Sequence, residues 1–170
     1  LMFPIIPANS VAEEAGNSEG IFGFGYVGGV VSTTNLVSNA GVVSSDVAGV
    51  GTARSLLAAC EYGGDKGIFG FGSGLAVTNL VSNAGVVSTD VAGVGTGRGY
   101  LAACSYGGDK GIFGFGADGP SGSDITNLVS NTGVVASDVS GVGSAREALA
   151  ACSYGEDKGI FGYGTTGSVT

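Results

Sequence analysis

A phrase of six residues occurs four times along the chain, and this repetition constrains the fold more than any other feature of the sequence. It reads GIFGFG at residues 20–25, 67–72 and 111–116, and GIFGYG at residues 159–164. A longer unit surrounds it, in the order LAAC, YGGDK, GIFGFG, a loop, TNLVSN, GVV and DVAGVG. Such self-similarity, at a period within roughly 20–50 residues, is typical of arrays in which each unit packs against its neighbours.

The variation in repeat length lies in one loop of the unit. The GIFGFG copies are 47, 44 and 48 residues apart, and the segments between GIFGFG and TNL contain eight, five and nine residues. The remainder of the unit is therefore 39 residues long each time. Packing is expected to hold this remainder fixed, while the loop at residues 26–33, 73–77 and 117–125 is free to vary.

Short apolar runs cut by glycine fill each unit. Residues 55–62, 99–106 and 147–154 carry the first run, which a Gly-rich turn containing Asp follows. GIFGFG, TNLVSN and GVVSTD read as a second, third and fourth strand, with a hairpin signal between the last two. No segment shows the apolar spacing of a helix over more than one turn. We therefore predict an all-β fold, namely a β-propeller-like array of four-stranded antiparallel blades.

The same motifs resemble a kelch repeat. Arg followed by Ala-Ala stands before the first strand, GIFGFG ends the second and TNLV opens the third, although the Gly-Gly doublet of kelch blades is split here and the chain has no Trp. The resemblance implies about three and a half kelch-like blades. The expected divisions are an extended N-terminal arm with a degenerate strand at residues 1–15, blades at 16–51, 52–95 and 96–143, and a partial blade at 144–170.

The whole repeat phrase, YGGDKGIFGFG followed by TNLVSN and GVV, is also similar to repetitive virion proteins of tailed phages of aquatic bacteria. This resemblance implies a structural subunit of a virion appendage, fibre or decoration, assembled in the bacterial cytoplasm. An extracellular location is the alternative, as a carbohydrate-binding module or as a fibre-forming repeat protein of a bacterium.

Charge and composition exclude several classes of function at this level. The net charge is −8 with six basic residues, so the chain lacks the basic surface that nucleic acids require. No apolar run approaches the roughly 18 residues that span a bilayer, so no membrane partner is expected. The chain has no His, the usual base of nucleophilic catalysis. We therefore expect no enzymatic activity, no cofactor and no metal.

Charged residues recur at equivalent positions of the unit. We expect the arginines to form a ring of structural ion pairs with the aspartates that stand eight residues before them, because paired charges in a repeat are normally packing devices. These positions are Arg54, Arg98 and Arg146, with Asp46, Asp90 and Asp138.

The aromatic and cysteine positions are expected to be structural. The two aromatic residues of each GIFGFG copy would share one strand face, which is most simply the contact between adjacent blades. Cys60, Cys104 and Cys152 occupy the same AAC context. Equivalent residues of packed sheets lie about 10 Å apart, too far for a disulfide, so three small buried thiols are expected.

The variable loops are the candidate binding sites, since recognition commonly resides in loops on a rigid scaffold. The loop ADGPSGSDI offers oxygen ligands, but its spacing matches no EF-hand and a plain turn is the favoured interpretation. A carbohydrate ligand is the alternative function for these loops. The candidate residues are Tyr26, Val27, Ser73, Leu75, Asp118, Ser121 and Asp124.

The count of units predicts association. Four GIFGFG copies accompany three TNLVSN segments, so the terminal units are incomplete. Two incomplete units can complete one blade within the chain or between chains, or the sequence can be cut from a longer protein. Because an unclosed array exposes strand edges, we expect a homo-oligomer that also contacts other subunits, with the arm at residues 1–8 docked on a neighbour.

Overall fold

A computed structural model describes residues 18–167, which contain ten strands and no helix. The strands are β1 (Gly20–Tyr26), β2 (Val30–Val37), β3 (Ala58–Tyr62), β4 (Lys66–Gly70), β5 (Thr78–Val81), β6 (Ala102–Tyr106), β7 (Lys110–Gly114), β8 (Thr126–Val129), β9 (Ala150–Tyr154) and β10 (Lys158–Gly162). Within these residues no helix is long and apolar enough to cross a membrane. The all-β expectation is confirmed.

The strands form four small antiparallel sheets, one for each copy of GIFGFG. Their strand orders are β1-β2, β3-β4-β5, β6-β7-β8 and β9-β10. The two central sheets have the same pairing: Ile68 lies opposite Cys60 and Leu80, as Ile112 lies opposite Cys104 and Leu128. The connections between the second and third strands differ in length without changing this pairing.

The predicted fourth strand does not form a continuous ladder. In the second sheet it makes two isolated bridges, Thr78 to Val91 and Val81 to Val87, and the third sheet has the equivalent pair. Between the bridges, the side chain of Ser88 accepts the Leu80 N–H at 3.0 Å, in place of a backbone carbonyl. Each central sheet therefore has three strands and a bridged fourth segment, because side-chain hydrogen bonds replace part of the ladder.

The terminal sheets are smaller. The first sheet contains the equivalents of a second and a third strand, and the last contains the equivalents of a first and a second. The N-terminal arm and degenerate strand, predicted for residues 1–15, lie outside the described residues.

The core lies between neighbouring sheets rather than within one sheet. Buried residues of adjacent sheets form one cluster, which comprises Tyr62, Ile68, Phe71, Leu101, Phe113 and Val129. Burial decreases toward the last sheet, where β9 and β10 are largely exposed. A neighbour on each side is therefore what buries a sheet of this array.

The central glycine of GIFGFG receives an aromatic ring of the next sheet. A Cβ added at Gly70 would lie 2.5 Å from Cζ of Phe113, and one at Gly114 would lie 2.9 Å from Cζ of Phe161. The equivalent atom at Gly23 would lie 3.0 Å from Cζ of Phe69. A side chain at any of these glycines would therefore collide with the aromatic ring of the next sheet.

We expect Gly70→Ala to lower the free energy of unfolding by about 1–3 kcal/mol, because its methyl group would overlap the buried Phe113 ring. Gly29→Ala is the matched control, since a Cβ there meets no described atom within 4 Å. Urea denaturation of both variants measures the difference. Equal urea midpoints for the two variants would show that the Phe113 ring can move away from position 70 at no cost in stability.

Candidate functional site

The most regular set of side chains in the protein joins each sheet to the next. The ring of Phe71 meets that of Phe113 edge-on, with centroids 5.2 Å apart, and the Arg98 guanidinium lies 4.4 Å from the Phe71 centroid. Aromatic pairs and cation–π contacts of this kind are each favourable beyond the area they bury. We call this group the Arg–Phe–Phe stack.

The stack is formed at each of the three junctions between sheets. Ring centroids are 5.3 Å apart at the first junction and 5.4 Å at the third, with the guanidinium 4.2 Å and 4.5 Å above the ring. The predicted aromatic contact between adjacent repeats is present. The members are Arg54, Phe24 and Phe69 at the first junction, and Arg146, Phe115 and Phe161 at the third.

We had expected the second aromatic of each phrase to continue the strand, but in the last three copies the strand ends at the glycine before it, and in the first copy the strand bulges around it. Phe71 has φ 62° and Phe115 has φ 62°, in the left-handed region that bulky residues seldom adopt. The chain turns at this residue, and its ring is thereby directed at the neighbouring sheet. The backbone strain is offset by the stack that the turned ring makes.

Arg98 is fully buried and its donors are satisfied by backbone and amide oxygens. Its Nε donates to Phe115 O at 2.7 Å, Nη1 to Thr96 O at 3.1 Å, and Nη2 to Asn127 Oδ1 at 2.8 Å. Burial lowers the pKa of Arg98, and the carboxylate of Asp138 opposes this effect. Because an arginine stays charged in proteins, these acceptors hold a buried cation.

The predicted ion pairs are replaced by a relay through Thr and Asn. Asp138 accepts the Thr96 N–H and hydroxyl, and the Asn127 amide at 2.9 Å. The same Thr and Asn bond to Arg98, so the exposed carboxylate and the buried guanidinium have no direct contact. The salt bridges within residues 18–167 join neighbouring Asp and Lys residues instead.

The partners in this relay also differ from those predicted. The prediction paired Asp138 with Arg146, which follows it after eight residues. In the structure, the carboxylate of Asp138 instead interacts electrostatically with Arg98, which precedes it in the sequence. Asp90 likewise bonds to Thr52 and attracts Arg54.

The remaining charged positions lie in the terminal repeats. Asp46 accepts a hydrogen bond from Asn35 at 2.8 Å. Arg146 stacks on Phe115, but its buried Nε has no hydrogen-bond partner within the described part of the chain.

Hydrogen bonds lower the pKa values of the two relay carboxylates, Asp90 and Asp138. Burial raises the pKa of Asp138, but the donors of Asn127 and Thr96 outweigh that effect and leave the pKa below its ordinary value. The pKa of Asp90 is lowered in the same way, since the hydrogen bonds from Thr52 and Asn79 exceed the cost of burial. Each carboxylate therefore stabilises the fold in its ionised form.

The loops predicted to bind a ligand lie at the same edge of successive sheets, because each joins a second strand to a third. Tyr26 and Val27 are exposed at the β1–β2 turn. The hydroxyl of Ser73 accepts the Ser55 N–H at 3.0 Å, which gives Ser73 a place in the fold. Leu75 is half-buried.

The longest of these loops, between β7 and β8, shows no metal cluster. Asp118 and Ser121 are exposed and Asp124 is half-buried. Among residues 18–167, no three acidic, Cys or His side chains are grouped so that they could hold a metal ion.

Sequence reasoning missed a groove between the first two sheets, with a volume of about 320 Å³. Ile21, Gly67 and Phe69 are among its lining residues. At the next junction the equivalent space is filled by Cys60, whose sulfur would lie 2.6 Å from a Cβ on Gly111.

The three cysteines are free but differ in burial, contrary to the expectation of three buried thiols. Cys104 is buried, Cys60 is half-buried and Cys152 is exposed. Burial raises the pKa of Cys60 to about 12. Cys152 is exposed because no further sheet covers the last one within the described residues.

The comparisons with known proteins show no family for this chain. No family model matches the chain, and no curated protein matches it. A solved structure similar to the chain is a fungal alcohol oxidase of the AA5 family in complex with copper, with a TM-score of 0.48 and 16% identity. The match covers 62% of this chain, which spans 23% of the oxidase.

This finding corrects one expectation. The lack of histidine led us to expect a protein that is not an enzyme, and the similarity to an oxidase overturns that expectation. A likeness of this extent supplies no reaction, metal or substrate for the chain.

We expect Arg98→Met to lower the free energy of unfolding by about 3 kcal/mol, because it removes the cation from Phe71 and leaves two buried acceptors and one part-buried acceptor without this donor. Lys110→Met is the control, since its pair with Asp109 is exposed and worth little. Chemical denaturation measures both. A loss at Arg98 no larger than that at Lys110 would contradict a structural role for the stack.

We expect acid to weaken the fold through Asp90 and Asp138. Both pKa values are lowered in the folded state, so their stabilisation is present above the ordinary carboxylate pKa of about 4 and is lost as the pH falls through the folded values. Asp138→Asn should therefore differ most from the unmodified protein near pH 7 and least in acid. Denaturation midpoints across the pH range measure this, with the exposed Asp157→Asn as control. A gap that stays constant with pH would contradict the assignment.

Proposed function

We propose that this chain is a structural subunit of a larger assembly. The observation that carries the proposal is the state of the two ends of the array. Phe22 in the first sheet is 65% exposed and Tyr163 after the last is 93% exposed, whereas the equivalent Phe113 and Phe71 are 0% exposed. Large apolar side chains at positions that the array buries elsewhere are typical of surfaces that associate.

We further propose that the sheets are blades of a kelch-like propeller. Three antiparallel strands with a bridged fourth segment, repeated with the same pairing and joined by the same stack, support this architecture. Blades of a propeller contact their neighbours around a ring, and an incomplete set of blades leaves two open faces.

The partners proposed for the open faces are further copies of the chain and other subunits of the assembly. The resemblance of the repeat phrase to repetitive phage proteins supports a virion appendage, fibre or decoration, assembled in a bacterial cytoplasm. An extracellular bacterial fibre would use the same contacts, and the extracellular space is the alternative location.

A second function, carbohydrate binding, is favoured by one observation. Tyr26 is exposed at the turn that joins β1 to β2, on the edge that carries the variable loops. An exposed aromatic ring at such a turn provides a stacking surface of the kind that a sugar face packs against.

Light scattering over a concentration series tests the first proposal. We expect a defined particle whose mass is a multiple of 16.4 kDa, because the open faces bury their apolar side chains by association. Electron microscopy of the same sample gives its shape.

A mass of 16.4 kDa at every concentration would contradict the structural role. A glycan array then tests the second function, with Tyr26→Ser as the variant that should lose binding and Val86→Ser, at an exposed residue outside the variable loops, as the control. Equal binding by both variants would rule out stacking on Tyr26.

A further inference from the structure

We propose that copies of this chain join head to tail, with the last sheet of one copy packed on the first sheet of the next. The contact would repeat the ring, glycine and cysteine contacts that join consecutive sheets within the chain, without the arginine of the stack, because no Arg precedes Arg54 in the sequence. This inference rests on the proposed structural role and names the partner face and its geometry. Three sets of side chains carry it.

The first set is the glycine slot and its ring. Gly70 receives the ring of Phe113, and Gly114 receives that of Phe161. Gly162 is the equivalent glycine of the last sheet, and a Cβ there would meet no described atom within 4 Å. The space in front of Gly162 is therefore open. Phe22 of the first sheet is the ring equivalent to Phe113 and Phe161.

The second set is the turned aromatic. Tyr163 has φ 65°, close to the 62° of Phe71 and Phe115, so the backbone already directs its ring beyond the last sheet. Those two rings meet the next sheet's Phe113 and Phe161 at centroid distances of 5.2 and 5.4 Å. Phe22 of a second copy, seated at Gly162, would meet Tyr163 in the same way.

The third set is a cysteine over a glycine. The sulfur of Cys60 lies 2.6 Å from the Cβ position of Gly111, and that of Cys104 lies 2.6 Å from the Cβ position of Gly159. Cys152 is exposed. Gly20, the equivalent glycine of the first sheet, has Val37 as the neighbour of its Cβ position among the described residues. Cys152 of one copy would therefore lie over Gly20 of the next.

The three sets lie on two complementary faces: the last sheet offers the Gly162 slot, the Tyr163 ring and the Cys152 thiol, and the first sheet offers the Phe22 ring and Gly20. The last face is also apolar: Tyr154 and Ile160 are exposed there, whereas their equivalents Tyr62 and Ile68 are buried. Contacts between unlike faces generate rings when the rotation closes and open filaments when it does not. The head-to-tail arrangement therefore accounts for both open faces with one kind of joint.

Gly162→Val tests the joint without disturbing the free subunit. The side chain fills the open slot, while φ at Gly162 is not in the left-handed region and no described atom lies close. Gly29→Val, on the β1–β2 turn, is the matched control. We expect Gly162→Val to raise the concentration for half-maximal association at least tenfold, and the control to leave it unchanged.

The outcomes separate the two proposals. A protein that associates equally well with valine at either position overturns the head-to-tail joint and leaves the structural role in place. A protein that stays monomeric overturns both. Cys152 gives an independent readout, because its reaction with a thiol reagent should slow as the unmodified protein associates.

A cross-link tests which faces meet. In Gly20→Cys, the new thiol and Cys152 of another copy would be within reach of a disulfide of about 2.05 Å, and diamide would take up the two hydrogens released. We expect a ladder of linked chains on non-reducing gels and a peptide that joins positions 20 and 152. Gly20→Cys combined with Cys152→Ser should give no ladder. Links between two copies of Cys152 alone would overturn the proposal in favour of a symmetric contact.

Discussion

The structure depends on one interaction, in which a buried arginine lies over an aromatic ring that belongs to the preceding sheet. Arg98 covers Phe71 and donates to oxygens of its own sheet, so a single side chain ties two sheets together. A buried cation without acceptors would be costly, and the carbonyl of Phe115 and the amide of Asn127 remove that cost. The left-handed backbone at Phe71 and the bare glycine opposite the next ring follow from the same contact, because both are needed to bring the rings together.

The features that follow from periodicity could be predicted from the sequence. Strand positions recur with the repeat, so the second strand was expected at GIFGFG and lies at Lys66–Gly70 in the second unit. The aromatic contact between neighbours was expected for the same reason and is present. A repeat pattern averages over its copies, however, and it cannot distinguish a cysteine that a following sheet covers from Cys152, which no described sheet covers.

The errors in the candidate site have a common physical origin. Sequence spacing pairs charges by distance along the chain, whereas the fold places Asp138 near an arginine forty residues earlier and inserts Thr96 and Asn127 between them. Opposite charges of unequal burial do not need direct contact when polar groups relay their interaction. The left-handed turn at Phe71 was also beyond prediction, since phenylalanine rarely adopts it and no glycine marks the position.

The sameness of the junctions has a consequence for how such a protein can change over generations. Each sheet contacts its immediate neighbours through the same stack, so the stability of the array is close to a sum over units and junctions. Unequal recombination between the gene segments that encode two repeats would delete or duplicate one whole unit and leave every remaining junction intact. The length of the array is then a trait that mutation alters in whole steps, without an unstable intermediate.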